Sequence, residues 1–173
     1  MTLQEYQLKS KRTMASLGSL ELDLCHCVMG AHSEFSEICE GIGKQDNVNI
    51  GEELSDVLFY LANYCTFREL NLEDYYHEVD YKDITTNTIL LSIAQSTSNL
   101  QDLVKKFVAY KKPINKSQEL ICIEDILYDL NLLINKFDLN LGNILQNNVN
   151  KLLVRFPLTF SEELANNRDL ESE

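Results

Sequence analysis

Glu34 with Glu37 and Glu53 with Asp56 form two acidic doublets, each spaced one helical turn apart. Residues three apart on a helix lie side by side, and like charges there repel by a few tenths of a kcal/mol. Fifteen residues separate the doublets, enough to end one helix, turn, and begin an antiparallel neighbour. The four carboxylates can then converge. Converging carboxylates make an all-oxygen site suited to a hard divalent cation, Mg²⁺ or Mn²⁺, which commonly takes phosphate oxygens as its remaining ligands. The chemistry such a site performs is attack of an activated water on phosphorus. The pattern alone leaves two readings open, a cation site and a solvated acidic face. Glu37 with Glu40 and Asp80 with Asp83 show the same spacing without any partner doublet.

The elements that must position these acids are helical. Only two prolines and six glycines interrupt 173 residues, and apolar residues recur at helical spacing nearly throughout. Helices are expected over 3–16, 20–41, from 49, 87–111, from 117, 141–154 and from 161. The second has Leu24, Val28, Ala31, Phe35, Ile38 and Ile42 inward, and Gly41-Ile42-Gly43 as its stop. The third has Asn49 as N-cap, with Glu52 completing a capping box, and Ile50, Leu54, Val57, Leu58, Leu61 and Cys65 inward. The fourth turns Ile93, Leu100, Val104, Phe107 and Val108 inward. The fifth, capped by Ser117, uses Ile121, Ile126, Leu127, Leu130, Ile134 and Phe137. Residues 71–86 read as an irregular acidic connection. The expected fold class is all-α, a bundle of about five or six helices in one domain spanning 1–173. A faint echo of Gly51–Ala62 in Ile123–Ile134 admits a degenerate internal repeat over roughly 20–70 and 90–155.

Composition narrows the partners. A net charge of −12 argues against nucleic acid and anionic membranes. No run of about 18 apolar residues and no signal peptide is evident, so a cytoplasmic location is expected. The five cysteines are odd in number and lack a C-x-x-C, which speaks against a disulfide framework. The Cys25-His26-Cys27 triplet makes a poor metal site, because helix positions two apart point about 200° from each other.

The acids do not stand alone. E-x-x-E, fifteen residues, E-x-x-D and then VLFYL, preceded by His26 and Gly30 as H-x₃-G-x₃-E, resemble the signature of the all-α nucleoside triphosphate pyrophosphohydrolases. That superfamily includes the MazG-like proteins, the all-α dUTPases and the phosphoribosyl-ATP pyrophosphohydrolases. The C-terminal Asn148-x-x-Lys151-Leu152, Arg155-Phe156-Pro157, Phe160 and Arg168-Asp169 resemble a MazG-like ending.

The resemblance implies hydrolysis of a nucleoside triphosphate to monophosphate and pyrophosphate. Glu34, Glu37, Glu53 and Asp56 are implied as Mg²⁺ ligands and catalytic residues, with one of them, or Glu52, orienting water as base. Asn148 and Lys151 are implied as nucleotide contacts, and Arg155, Arg168 and His26 as further substrate contacts. On this reading the four acids await a cation that the chain does not supply. Structural roles compete: Arg155 pairing with Glu162 or Glu163, His26 as a packed and hydrogen-bonded core histidine, Tyr60 as core, Lys105 and Lys106 as solvated. A dUTPase-like or alarmone-hydrolysing relative and a non-catalytic helical interaction protein are the alternatives. The family's usual assembly implies a homodimer or tetramer. The base preference is not legible.

Overall fold

The computed structural model of the chain describes residues 1–79 and 83–167. Every regular element among them is helical: α1 (Leu3–Ser10), α2 (Leu20–Lys44), α3 (Asn47–Phe67), α4 (Thr86–Tyr110), α5 (Lys116–Lys136), α6 (Leu141–Arg155) and α7 (Glu162–Asn166), with 3-10 turns at Lys11–Thr13 and Leu72–Tyr75. The fold class is all-α, as expected. Among the described residues no helix is long and apolar enough to cross a membrane.

Two hairpins form the centre. α2 packs along α3 and α4 along α5, with α2 also against α4, while α1 and α6 cover the outer face of α3. The apolar stripes read from the sequence meet in one core, in which Leu24, Ile38, Ile50, Leu54, Ile93 and Ile123 are wholly buried. Ile121 is the exception. It is 55% exposed because the buried face of α5 runs through Glu119, Cys122, Ile123 and Ile126, and Ile121 points about 150° away from that face. The cysteines are all free, with Cys27, Cys65 and Cys122 buried.

Helix boundaries differ from the expected ones where two residues compete for the same cap. α3 is capped by Asp46, not Asn49: the Asp46 carboxylate accepts from the backbone N–H groups of Val48 and Asn49. Asn and Asp are equally good N-caps, and the earlier one gives a longer helix. The same holds for α5, capped by Asn115 rather than Ser117. α1 is shorter than expected, because the chain tightens into a 3-10 turn after Ser10 and is extended at Met14. The Ser161 cap of α7 is where the sequence put it.

The most informative shift is at the end of α2. Gly41 does not stop the helix; it continues to Lys44 and ends on Gln45 in the left-handed conformation. Gly41 instead permits close approach. A Cβ there would sit 3.0 Å from Ile50 and 3.1 Å from Asn49 of α3. Eleven residues earlier, three turns up the same face, a Cβ on Gly30 would sit 2.3 Å from the Tyr60 ring. The two glycines thus fix an antiparallel register in which 30 faces 60 and 41 faces 49–50. Between them, 34 falls across from 56 and 37 across from 53.

Candidate metal and phosphate site

That register decides where the acids go. One carboxylate oxygen each from Glu34, Glu37 and Glu53 lie within 4.8 Å of one another, the only such group of three metal-ligating side chains among the described residues. Glu37 is exposed, Glu34 half-buried, and Glu53 only 7% exposed. They line a pocket of about 370 Å³ together with Glu52, Asp56, Lys151 and Arg155.

The electrostatics follow from burial and from this crowding. Burial is the main cause that pushes the Glu53 carboxyl up, followed by the charges of Asp56, Glu37 and Glu34; it rises to about 8 despite Lys151. Glu34 is raised to about 6, first by burial and then by Asp56 and Glu37, with a hydrogen bond to Glu53 and the Lys151 charge opposing. Burial, Glu34 and Asp56 raise the Tyr60 phenol to about 12. The like-charge repulsion that the doublets imply is therefore real in the fold. Three oxygen donors, one of them nearly buried, with no cation within the trio among the described residues, fit a hard divalent ion.

Asp56 behaves differently from the other three. Unlike them it has a cation and an amide of the chain against it. The Lys151 ammonium donates to Asp56 Oδ2 at 2.7 Å and to Glu52 Oε1 at 3.0 Å. The Asn148 amide nitrogen donates to Asp56 Oδ1 at 2.5 Å. Burial alone lowers the basicity of Lys151, but Asp56 and Glu52 outweigh it, and the ammonium is held above its ordinary range. Behind this pair stands Tyr6 of α1, fully buried, whose hydroxyl proton is shared between Asn148 Oδ1 at 2.8 Å and the Ser55 carbonyl at 3.0 Å. An amide that accepts from Tyr6 on its oxygen must present its NH₂ to Asp56, so α1 sets the orientation of Asn148. Pattern reading missed Tyr6, since nothing in the first helix signals a contact with a residue 142 positions away.

The remaining candidates sort as follows. Asn148, Lys151 and Arg155 all lie on the inner face of α6 at i, i+3 and i+7, and the last two line the acidic pocket. The Arg155 guanidinium lies 6.0 Å from the Phe156 ring centroid. Glu52, a candidate base, is paired with Lys151. His26 is packed edge-on against Tyr60, ring centroids 5.6 Å apart. Its Nδ1 is buried without a hydrogen-bond partner among the described residues, unlike the hydrogen-bonded histidine weighed in the sequence, and burial lowers its basicity. The H-x₃-G-x₃-E lead-in thus acquires a physical meaning: His26 and Gly30 seat Tyr60 beside Glu34. Lys105 and Lys106 pair with Asp102 on the outside of α4. Arg168 lies outside the described residues.

With this geometry in view, the comparison with known families is specific. The family model of the MazG nucleotide pyrophosphohydrolase domain matches residues 27–86, about a third of the chain, in keeping with an all-α MazG-like fold. The match holds both doublets, all of α3 and α2 from residue 27 onward. It leaves out α6, whose Asn148 and Lys151 reach the site only through the fold. No curated protein and no solved structure matches the chain.

Proposed function

We propose that this protein is a divalent-cation-dependent nucleotide pyrophosphohydrolase that converts nucleoside triphosphates, ribo- or deoxyribo-, to monophosphate and pyrophosphate. The observation that carries the reading is the convergence of Glu34, Glu37 and Glu53 within 4.8 Å around one nearly buried carboxylate, inside a segment matched by a pyrophosphohydrolase family.

In this reading Glu34, Glu37 and Glu53 hold Mg²⁺ or Mn²⁺. The ion supplies Lewis-acid polarisation of phosphoryl oxygens and lowers the pKa of water. The chain's residues do the rest. Asn148 and Lys151 hold Asp56 in one orientation at the edge of the cluster, and Lys151 and Arg155 place positive charge where the leaving phosphates gather negative charge. Water oxygen bonds to the α-phosphorus, the bond from that phosphorus to the α,β-bridging oxygen breaks, and pyrophosphate departs with the electron pair. The water proton passes to a carboxylate of the pocket acting as base. The pocket carries Glu34, Glu37, Glu52, Glu53 and Asp56 against Lys151 and Arg155, an excess of three acids that repels a bare triphosphate. Binding therefore needs the cation.

The test is pyrophosphate release from a panel of ribo- and deoxyribonucleoside triphosphates, with Mg²⁺ and with chelator. Cation-dependent release with matching monophosphate is expected. Absence of turnover on every nucleotide, with no cation binding, would leave the helical interaction protein as the better reading.

A further inference from the structure

We infer that the nucleoside end of the substrate binds beside the acidic pocket, in an amide-lined cleft between the first turns of α3 and α6. This rests on reading the acidic pocket as the phosphate-cleaving site. The cleft has a volume of about 540 Å³, within the range of small-molecule sites. It shares Glu52 and Lys151 with the acidic pocket. One molecule can therefore place its phosphates on one side of Lys151 and a ring system on the other.

The two sides differ in chemistry as the two ends of a nucleotide do. Apart from the shared pair, Asp138 is the one charged residue among the described residues lining the cleft. Asn47, Asn143 and Asn147 supply the polar walls, and Val48, Leu139 and Ile144 the apolar surface. Each amide offers both donors and an acceptor, the combination that pairs with the edge of a nucleobase. Asn143 and Asn147 are one turn apart and exposed, and their side-chain amides make no hydrogen bond among the described residues. Gln146 and Asn150 of the same helix, which do not line the cleft, bond each other instead, the Gln146 amide donating to Asn150 at 3.0 Å. Of the asparagines that line the cleft, Asn140 and Asn148 are already engaged, and Asn143 and Asn147 have their amides left for a ligand. Among its described lining residues none is aromatic. The base is thus held between aliphatic side chains and selected by amide hydrogen bonds, with stacking on aromatic rings playing no part.

The experiment compares the wild-type protein with the double variant Asn143→Ala/Asn147→Ala. Two quantities are measured with Mg²⁺: KM for the nucleotide that wild type turns over best, and inhibition of that turnover by inorganic tripolyphosphate, which carries the phosphates without a nucleoside. Circular dichroism and sedimentation verify fold and association state. Expected is a rise of at least about tenfold in KM, inhibition by tripolyphosphate within twofold of wild type, and a flattened order of preference among bases. An unchanged KM overturns the inference, as does an equal weakening of nucleotide and tripolyphosphate. A changed association state overturns it as well, because the cleft is then a contact between copies. In each of these cases the pyrophosphohydrolase reading stands; only a wild-type protein that turns over no nucleotide removes both.

Discussion

Two buried glutamates, Glu53 and Glu119, show how differently one chain can treat the same group. Glu119, at the start of α5, is 1% exposed. It accepts from Arg68 Nε at 2.6 Å, Arg68 Nη2 at 3.1 Å and the Tyr64 hydroxyl at 2.7 Å. Its charge is met by a bidentate guanidinium and a phenol, so the fold itself compensates the desolvation. Glu53, 7% exposed, has Glu34 and Glu37 for neighbours, and its carboxyl is pushed up to about 8. A fold that can build the Arg68–Glu119 pair has the means to neutralise a buried acid. On the proposed function, Glu53 is instead left for a cation bound from outside the chain. The contrast extends to the hairpins. In α5 Asp125 is exposed and Tyr128 half-buried, and no trio of carboxylates gathers there among the described residues.

The largest expected effect breaks the functional side of this comparison. Glu53→Gln keeps shape and removes charge, and should lower cation-dependent turnover at least about a thousandfold, with helical content unchanged by circular dichroism. Turnover within tenfold of wild type would remove Glu53 from the site. The structural side breaks by stability instead. Glu119→Ala leaves Arg68 without its buried partner and should cost about 3 kcal/mol in denaturant unfolding, while the KM of whatever protein remains folded is unchanged.

Acidity sharpens the difference. The folded-state values of Glu34 and Glu53, about 6 and about 8, lie above the ordinary carboxylate value, so between the two the folded protein binds more protons than the unfolded chain. Stability then falls as pH rises from about 4.5 to about 8. This fall should appear in chelator, shrink on adding Mg²⁺, and be smaller in Glu53→Gln. Equal pH profiles for wild type and variant in chelator would contradict it. The smallest expected effect lies in the support behind Asp56. Tyr6→Phe removes one hydroxyl and should cost about 1 kcal/mol of stability, with a several-fold loss of kcat from a less firmly held Asn148.

Much of this was legible in the sequence. Periodicity located the five long helices because each buries one stripe, and that stripe repeats at 3.6 residues. The doublets were visible because their spacing is local. What periodicity could not show was the end of α2, since a glycine for close approach and a glycine for a helix stop look alike in one dimension. It also could not separate Asp56 from the other three acids. That distinction comes from Lys151 and Asn148, more than ninety residues away, and from Tyr6 behind them. These contacts are set by tertiary packing and leave no period to read.

The central claim is that the carboxylates of Glu34, Glu37 and Glu53 form a cation site. Calorimetric titration of Mn²⁺ into the wild-type protein and into Glu53→Gln, at neutral pH and without nucleotide, tests it most directly. The account predicts saturable binding to wild type that weakens at least tenfold in the variant. Equal affinities, or no binding to the wild-type protein, would contradict it.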